Sequence, residues 1–165
     1  MHAHTNYNIS IQGSENEINA IGEVLKKTIT DVEFNVCDTM TITETYTCVF
    51  DDEVCALAKA MAKSSPNASF VMSGVIDTSE SAGEYMDFRF ELKNKKLTAS
   101  FSDWYLVDCM EDYEDYEDFC DCVMECTKEE YESFCEYEYL YTIETSGVNV
   151  YSDHVTLNKA VEITY

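Results

Sequence analysis

Basic residues are scarce in this chain: ten lysines and arginines stand against thirty-three aspartates and glutamates in 165 residues, a formal net charge of −23. A field of that sign repels phosphates and anionic headgroups, so neither nucleic acid nor a membrane surface is expected as a direct partner. The partner to look for is a basic protein. Proline occurs once and glycine five times, which leaves no low-complexity linker, and no repeat at solenoid spacing is present. A single domain over residues 1–165 follows. No run approaches the roughly 20 apolar residues that span a bilayer. The opening MHAHTNYNIS has neither the charged start nor the apolar run of an export signal, which predicts a cytoplasmic protein. In that compartment the eight cysteines are expected to stay reduced, without a structural disulfide. High charge alone would suggest disorder, but 45% hydrophobic and 13% aromatic residues are enough for a core.

Motifs for chemistry are also missing. GxGxxG, GxxxxGK[ST], HExxH, GxSxG and the glycine-turned calcium loop do not occur. His2 and His4 form an H-x-H near the start and His154 stands beside Asp153, neither with partners at catalytic spacing. Cys120, Cys122, Cys126 and Cys135 are the one group that resembles metal ligands, but C-x-C-x3-C is not the spacing of paired zinc knuckles, and nearby carboxylates raise thiol pKa values. No enzyme, no cofactor and no metal site is expected. Arg89, Lys93, Lys95 and Lys96 are the only basic concentration, explained by the solubility of a turn.

What is present is strong patterning. TNYNISIQ alternates, with Tyr7, Ile9 and Ile11 on one side of a strand over 5–12. Ser14 and Glu17 form a capping box, and Ile18, Ile21, Leu25 and Ile29 recur at helical spacing, predicting a helix over 15–29. A strand is expected from Met40 to Phe50. A helix capped by Asp51 or Asp52 follows, with Val54, Leu57, Ala58 and Met61 on one face, ending before Pro66. Further strands are predicted at 68–77 and 84–92, then a hairpin turn at Lys93–Lys96 and a partner strand over 97–107 with a bulge at Trp104. The last strands are expected at 138–144 and 148–165, joined near Ser146-Gly147. The class is α+β: a mostly antiparallel sheet with helices packed on one face, a ferredoxin-like first half, and an acidic helical segment at 108–138.

That segment holds thirteen acids and one lysine between residues 111 and 138, a net −12 over 28 residues. Possible capping boxes at Asp108 with Glu111 and at Thr127 with Glu130 allow two short helices or one long bent helix. On a continuous wheel Tyr113, Tyr116, Cys120, Val123, Thr127, Tyr131 and Phe134 form an apolar stripe. Asp115, Asp118, Glu125, Glu129, Glu132 and Glu136 then form a negative ridge with roughly one charge per 3.5 Å. A DNA strand carries one phosphate per roughly 3.4 Å. Asp112, Asp115, Asp118, Asp121, Glu125, Glu129, Glu132, Glu136 and an exposed Tyr137 are therefore the candidate partner-binding residues.

The extreme acidity and residues 108–138 together resemble phage-encoded DNA-mimic inhibitors of the anti-CRISPR and anti-restriction type, a physical class that shares no common fold. The resemblance implies a non-enzymatic inhibitor in the cytoplasm of a bacterial host. Its implied partner is a CRISPR-Cas or restriction nuclease complex, whose basic nucleic-acid channel it would occupy. Two other functions fit the same residues: an acidic interaction module for a basic protein without nucleic-acid competition, and a metal-binding protein using Cys122, Cys126 and nearby acids.

Overall fold

A computed structural model describes residues 4–28, 39–43, 51–77, 84–102, 105–145 and 148–165. The alternation of TNYNISIQ produces β1 (His4–Gln12), in which Tyr7, Ile9 and Ile11 are buried. Ser14 then ends the strand as a helix cap: its N–H donates to Glu17 Oε2 at 2.8 Å and Glu17 N–H donates to Ser14 Oγ at 3.4 Å. Helix α1 (Glu15–Thr28) has Glu15 and Glu17 in its first turn and Lys26 and Lys27 in its last, the charge order that complements the helix dipole. It buries Ile18, Ile21 and Leu25; Ile29 lies outside the described residues.

Strand β2 is described as Thr39–Thr43, and the predicted continuation to Phe50 lies outside the described residues. Helix α2 (Asp51–Ser64) buries Val54, Leu57, Ala58 and Met61, as its spacing predicts. Ser65 joins the two helices by donating from Oγ to Glu17 O at 3.0 Å. Strands β3 (Ser69–Asp77), β4 (Glu84–Lys93), β5 (Lys96–Phe101), β6 (Tyr105–Cys109), β7 (Tyr139–Thr145), β8 (Val148–Ser152) and β9 (Val161–Ile163) complete the sheet. Asn94 and Lys95, both at positive φ (51° and 61°), make the tight turn between β4 and β5.

The strand order is β2-β1-β3-β4-β6-β7-β8, with β5 also on β4 and β9 on β5, and every described pair is antiparallel. The α+β class and the mostly antiparallel sheet hold. The ferredoxin-like expectation for the first half does not extend to topology. β1 lies between β2 and β3 and runs antiparallel to both, whereas a β-α-β crossover needs parallel strands.

Beyond β5, Ser102 donates its N–H to Asp87 O at 2.9 Å and accepts from Asp87 N at Oγ, also at 2.9 Å. The bulge predicted at Trp104 lies outside the described residues. The strand expected over 148–165 is two strands. Ser152 Oγ accepts from His154 N at 3.3 Å, a local turn bond that ends β8, and the chain returns to place β9 on β5.

The main core joins α1 and α2 to one face of β1, β3, β4 and β5 through Ile9, Met72, Phe88, Phe90 and their neighbours. Pairing parity carried through β6 and β7 puts Leu140 and Tyr151 on that same side of the sheet. A second, smaller core of Met110, Phe119 and Leu140 forms there.

Candidate functional site: an acidic two-helix knob

Between β6 and β7 the chain makes a single 3-10 turn at Met110–Asp112, then α3 (Tyr116–Cys122) and α4 (Lys128–Phe134). Of the two predicted capping boxes, the one at Thr127 and Glu130 is formed. Thr127 N–H donates to Glu130 Oε2 at 2.7 Å and Glu130 N–H to Thr127 Oγ1 at 3.3 Å. Asp108, the cap expected with Glu111, belongs to β6, and the cap position before the 3-10 turn is taken by Cys109, without a side-chain bond. Asp115 starts α3 instead, its Oδ1 accepting from Glu117 N and Asp118 N at 3.0 Å each. Thr127 sits in extended backbone (φ −77°, ψ 160°), and a well-formed cap there stops the preceding helix from running through.

Both boxes hold a glutamate below its ordinary pKa: the backbone N–H of Ser14 acts first on Glu17, and that of Thr127 on Glu130. A carboxylate with a lowered folded-state pKa contributes stability at pH above its unfolded value, and this is lost as pH falls through the folded value. An NMR pH titration is expected to find Glu17 and Glu130 among the last glutamates to protonate on acidification. Titration of Glu130 at or above the ordinary glutamate value would show that the box is not formed.

Aromatic side chains tie the knob to the sheet. Phe119 is fully buried, with ring centroids 5.2 Å from Tyr113, 5.4 Å from Tyr131 and 6.0 Å from Phe134. Phe134 in turn meets Tyr151 of β8 at 5.7 Å. Tyr116 packs edge-on against Tyr131 at 5.7 Å and donates from its hydroxyl to Cys126 O at 2.7 Å, which closes the non-helical stretch 123–127. Tyr113, Val123, Tyr131 and Phe134 of the predicted stripe pack on this core, whereas Thr127 is an exposed cap. The wheel missed Phe119, since continuous phase across 123–127 placed it off the stripe. Ending the helix before Thr127 recovers it, three residues after Tyr116 and four before Val123.

The same break corrects the predicted ridge. Asp112 lies in the 3-10 turn, Asp115 is a cap, Asp121 is in the last turn of α3, Glu125 is in the break, Glu129 and Glu132 are on α4, and Glu136 follows it. A continuous row on one helix is not formed, so a spacing reckoned at one helical rise per residue does not run through the segment. Exposure of the carboxylates, however, is general: of the thirteen acids between 111 and 138 only Asp118 is half-buried, where it accepts from Glu114 N at 3.3 Å. Among the described residues none of the thirteen pairs with a lysine or arginine; the ion pairs of basic side chains are Lys26–Glu23, Arg89–Glu91 and Lys96–Glu162. Tyr137, expected to be exposed, is half-buried against the second core, and Tyr139 is the exposed aromatic nearby.

Among the described residues no group of three His, Cys, Asp or Glu side chains is placed to hold a metal ion. Burial, then the Asp118 carboxylate, raises the Cys122 thiol, and burial, then Cys120, pushes Cys126 to about 11. Both are protonated near neutrality, a poor state for ligation or attack. His154 does not form a relay: Ser152 Oγ and Asp153 Oδ1 both meet the same ring nitrogen, Nδ1, at 3.2 and 2.7 Å, whereas a nucleophile and its orienting acid need opposite nitrogens. No helix among the described residues is long and apolar enough to cross a membrane. No family model, curated protein or solved structure matches this chain.

Proposed function

We propose that this protein is a non-enzymatic inhibitor that docks its 111–138 knob on the basic nucleic-acid-binding surface of a nuclease complex, of the CRISPR-Cas or restriction kind, and keeps nucleic acid out. One observation carries this reading: thirteen carboxylates, all but one exposed, stand without a lysine or arginine partner among the described residues, on an element fixed by a buried aromatic core. Solubility needs far less charge than −23, and unpaired like charges oppose folding. A basic groove offers the compensation the protein itself withholds. Anchoring through Phe119 means that little ordering entropy is lost on binding.

The break at 123–127 favours a second reading. Without a regular row of charges the knob matches a basic surface by sign and density rather than by spacing, so it also suits a basic partner that binds no nucleic acid. Capture from a bacterial lysate on the immobilised protein, followed by elution with duplex DNA, separates the two. Elution of a nuclease complex by DNA supports the inhibitor. A basic partner that DNA does not elute supports the second reading, and capture that is unchanged after the acids of the knob are reversed would contradict both.

A further inference from the structure

The two thiols that flank the break face each other: Cys120 Sγ and Cys126 Sγ are 4.0 Å apart. Cys120 lies in α3 and Cys126 in the non-helical stretch that follows, one residue before the Thr127 cap. A disulfide needs the sulfurs to close to about 2.05 Å. Cys126 lies outside helical structure, so closing the remaining gap by side-chain rotation and movement of the connecting backbone unwinds no helical turn at that end. The other two thiols of the segment are differently placed, Cys122 pointing to Asp118 Oδ1 at 3.8 Å and Cys135 exposed beyond α4. Cys120 and Cys126 also line an open depression of about 480 Å³ with Tyr116, Glu117, Asp121 and Glu125, so a small reagent can reach them from solvent beside three carboxylates.

We propose that Cys120 and Cys126 are a dithiol modification site that closes into a disulfide by exchange with small disulfides, cationic ones in preference to anionic ones. One protein thiolate attacks the reagent disulfide, forming a mixed disulfide and expelling one reagent thiolate, which takes up the proton lost from the protein. The second protein thiol gives up its proton and attacks the protein sulfur of the mixed disulfide, expelling the second reagent thiolate. Two protein thiols are oxidised and one reagent disulfide is reduced to two thiols. The bond ties α3 to the start of α4. Glu117, Asp121 and Glu125 set the preference, attracting a cationic reagent and repelling an anionic one before either reaches sulfur. Burial of Cys126, which favours its protonated form, makes the exchange slow at neutral pH and specific to reagents the carboxylates concentrate.

The test uses the intact reduced protein with dicationic cystamine and anionic glutathione disulfide as probes. Remaining thiols are alkylated and the chain is cut at Met124, which lies between the two cysteines. The expected result is loss of two alkylatable thiols of the eight and two fragments that separate only on reduction, linked through Cys120 and Cys126. Cystamine is expected to react at least about tenfold faster at low salt, the two rates converging at high salt. Linkage through any other cysteine, mixed adducts that never close, or unreacted Cys120 and Cys126 would overturn the site. Equal rates for the two reagents at low salt would overturn its selectivity.

Discussion

Replacing Phe119 by alanine is expected to cost about 3–5 kcal/mol and to unfasten the acidic knob while leaving the main core in place. Phe119 is fully buried and is the one side chain that meets Tyr113, Tyr131 and Phe134 together. Its loss removes the centre of a small cluster that has few other buried members, Met110 and Leu140. The repulsion among the surrounding acids works in the same direction, because this packing opposes it. Hydrogen exchange is the measurement of choice. Amides of α3, α4 and β7 should lose protection, while those of β1, β3 and β4, packed around Phe88 and Phe90 in the main core, should keep theirs. Protection unchanged across α3 and α4 would show that the knob does not depend on this core. Binding to the basic partner is expected to weaken as well, although every charge is still present, since the carboxylates must then be ordered on contact.

Reversing Asp121, Glu125, Glu132 and Glu136 to lysine together is expected to weaken partner binding about 30- to 1,000-fold, taking about 0.5–1 kcal/mol for each exposed position. These four are exposed and none is a cap, whereas Asp115 starts α3 and Asp118 holds Glu114 N, so changing those two would confuse loss of charge with loss of fold. Net charge moves from −23 to −15, two units per substitution. The folded state should be unharmed or slightly more stable. Asp121 lies in the last turn of α3 and Glu132 in the last turn of α4, with Glu136 just beyond it, places where the helix dipole favours a cation. Thermal unfolding at an equal or higher midpoint, with binding measured on the same samples, checks both halves. Binding retained within about twofold would remove the knob from the interface.

Locally coded features were legible from the residues alone. Ser14 with Glu17 and Thr127 with Glu130 each satisfy a helix start from four consecutive positions, and the alternation of Tyr7, Ile9 and Ile11 or of Met86, Phe88, Phe90 and Leu92 marks the buried face of a strand without reference to its partner. Strand order was not legible. That β1 sits between β2 and β3 depends on contacts across the chain, and β9 lies on β5 because Ser152 and His154 turn the chain away from β8. The charge of the candidate site was plain, but its shape was not. A strong cap at Thr127 ends one helix and starts another, which breaks the phase of a continuous wheel, and this is why Phe119 was missed; Tyr137 was expected in solvent because acids surround it in the sequence, yet it packs on the second core.

The most direct test of the proposed function is competition for a nucleic-acid channel. A purified guide-loaded CRISPR nuclease complex is mixed with labelled duplex DNA, and the protein is titrated in at several salt concentrations. Displacement of the DNA near equal stoichiometry, weakening steeply with salt and lost with the four lysine substitutions, is the expected result. Binding that leaves the DNA in place, or displacement by the charge-reversed protein as effective as by the natural one, would contradict it.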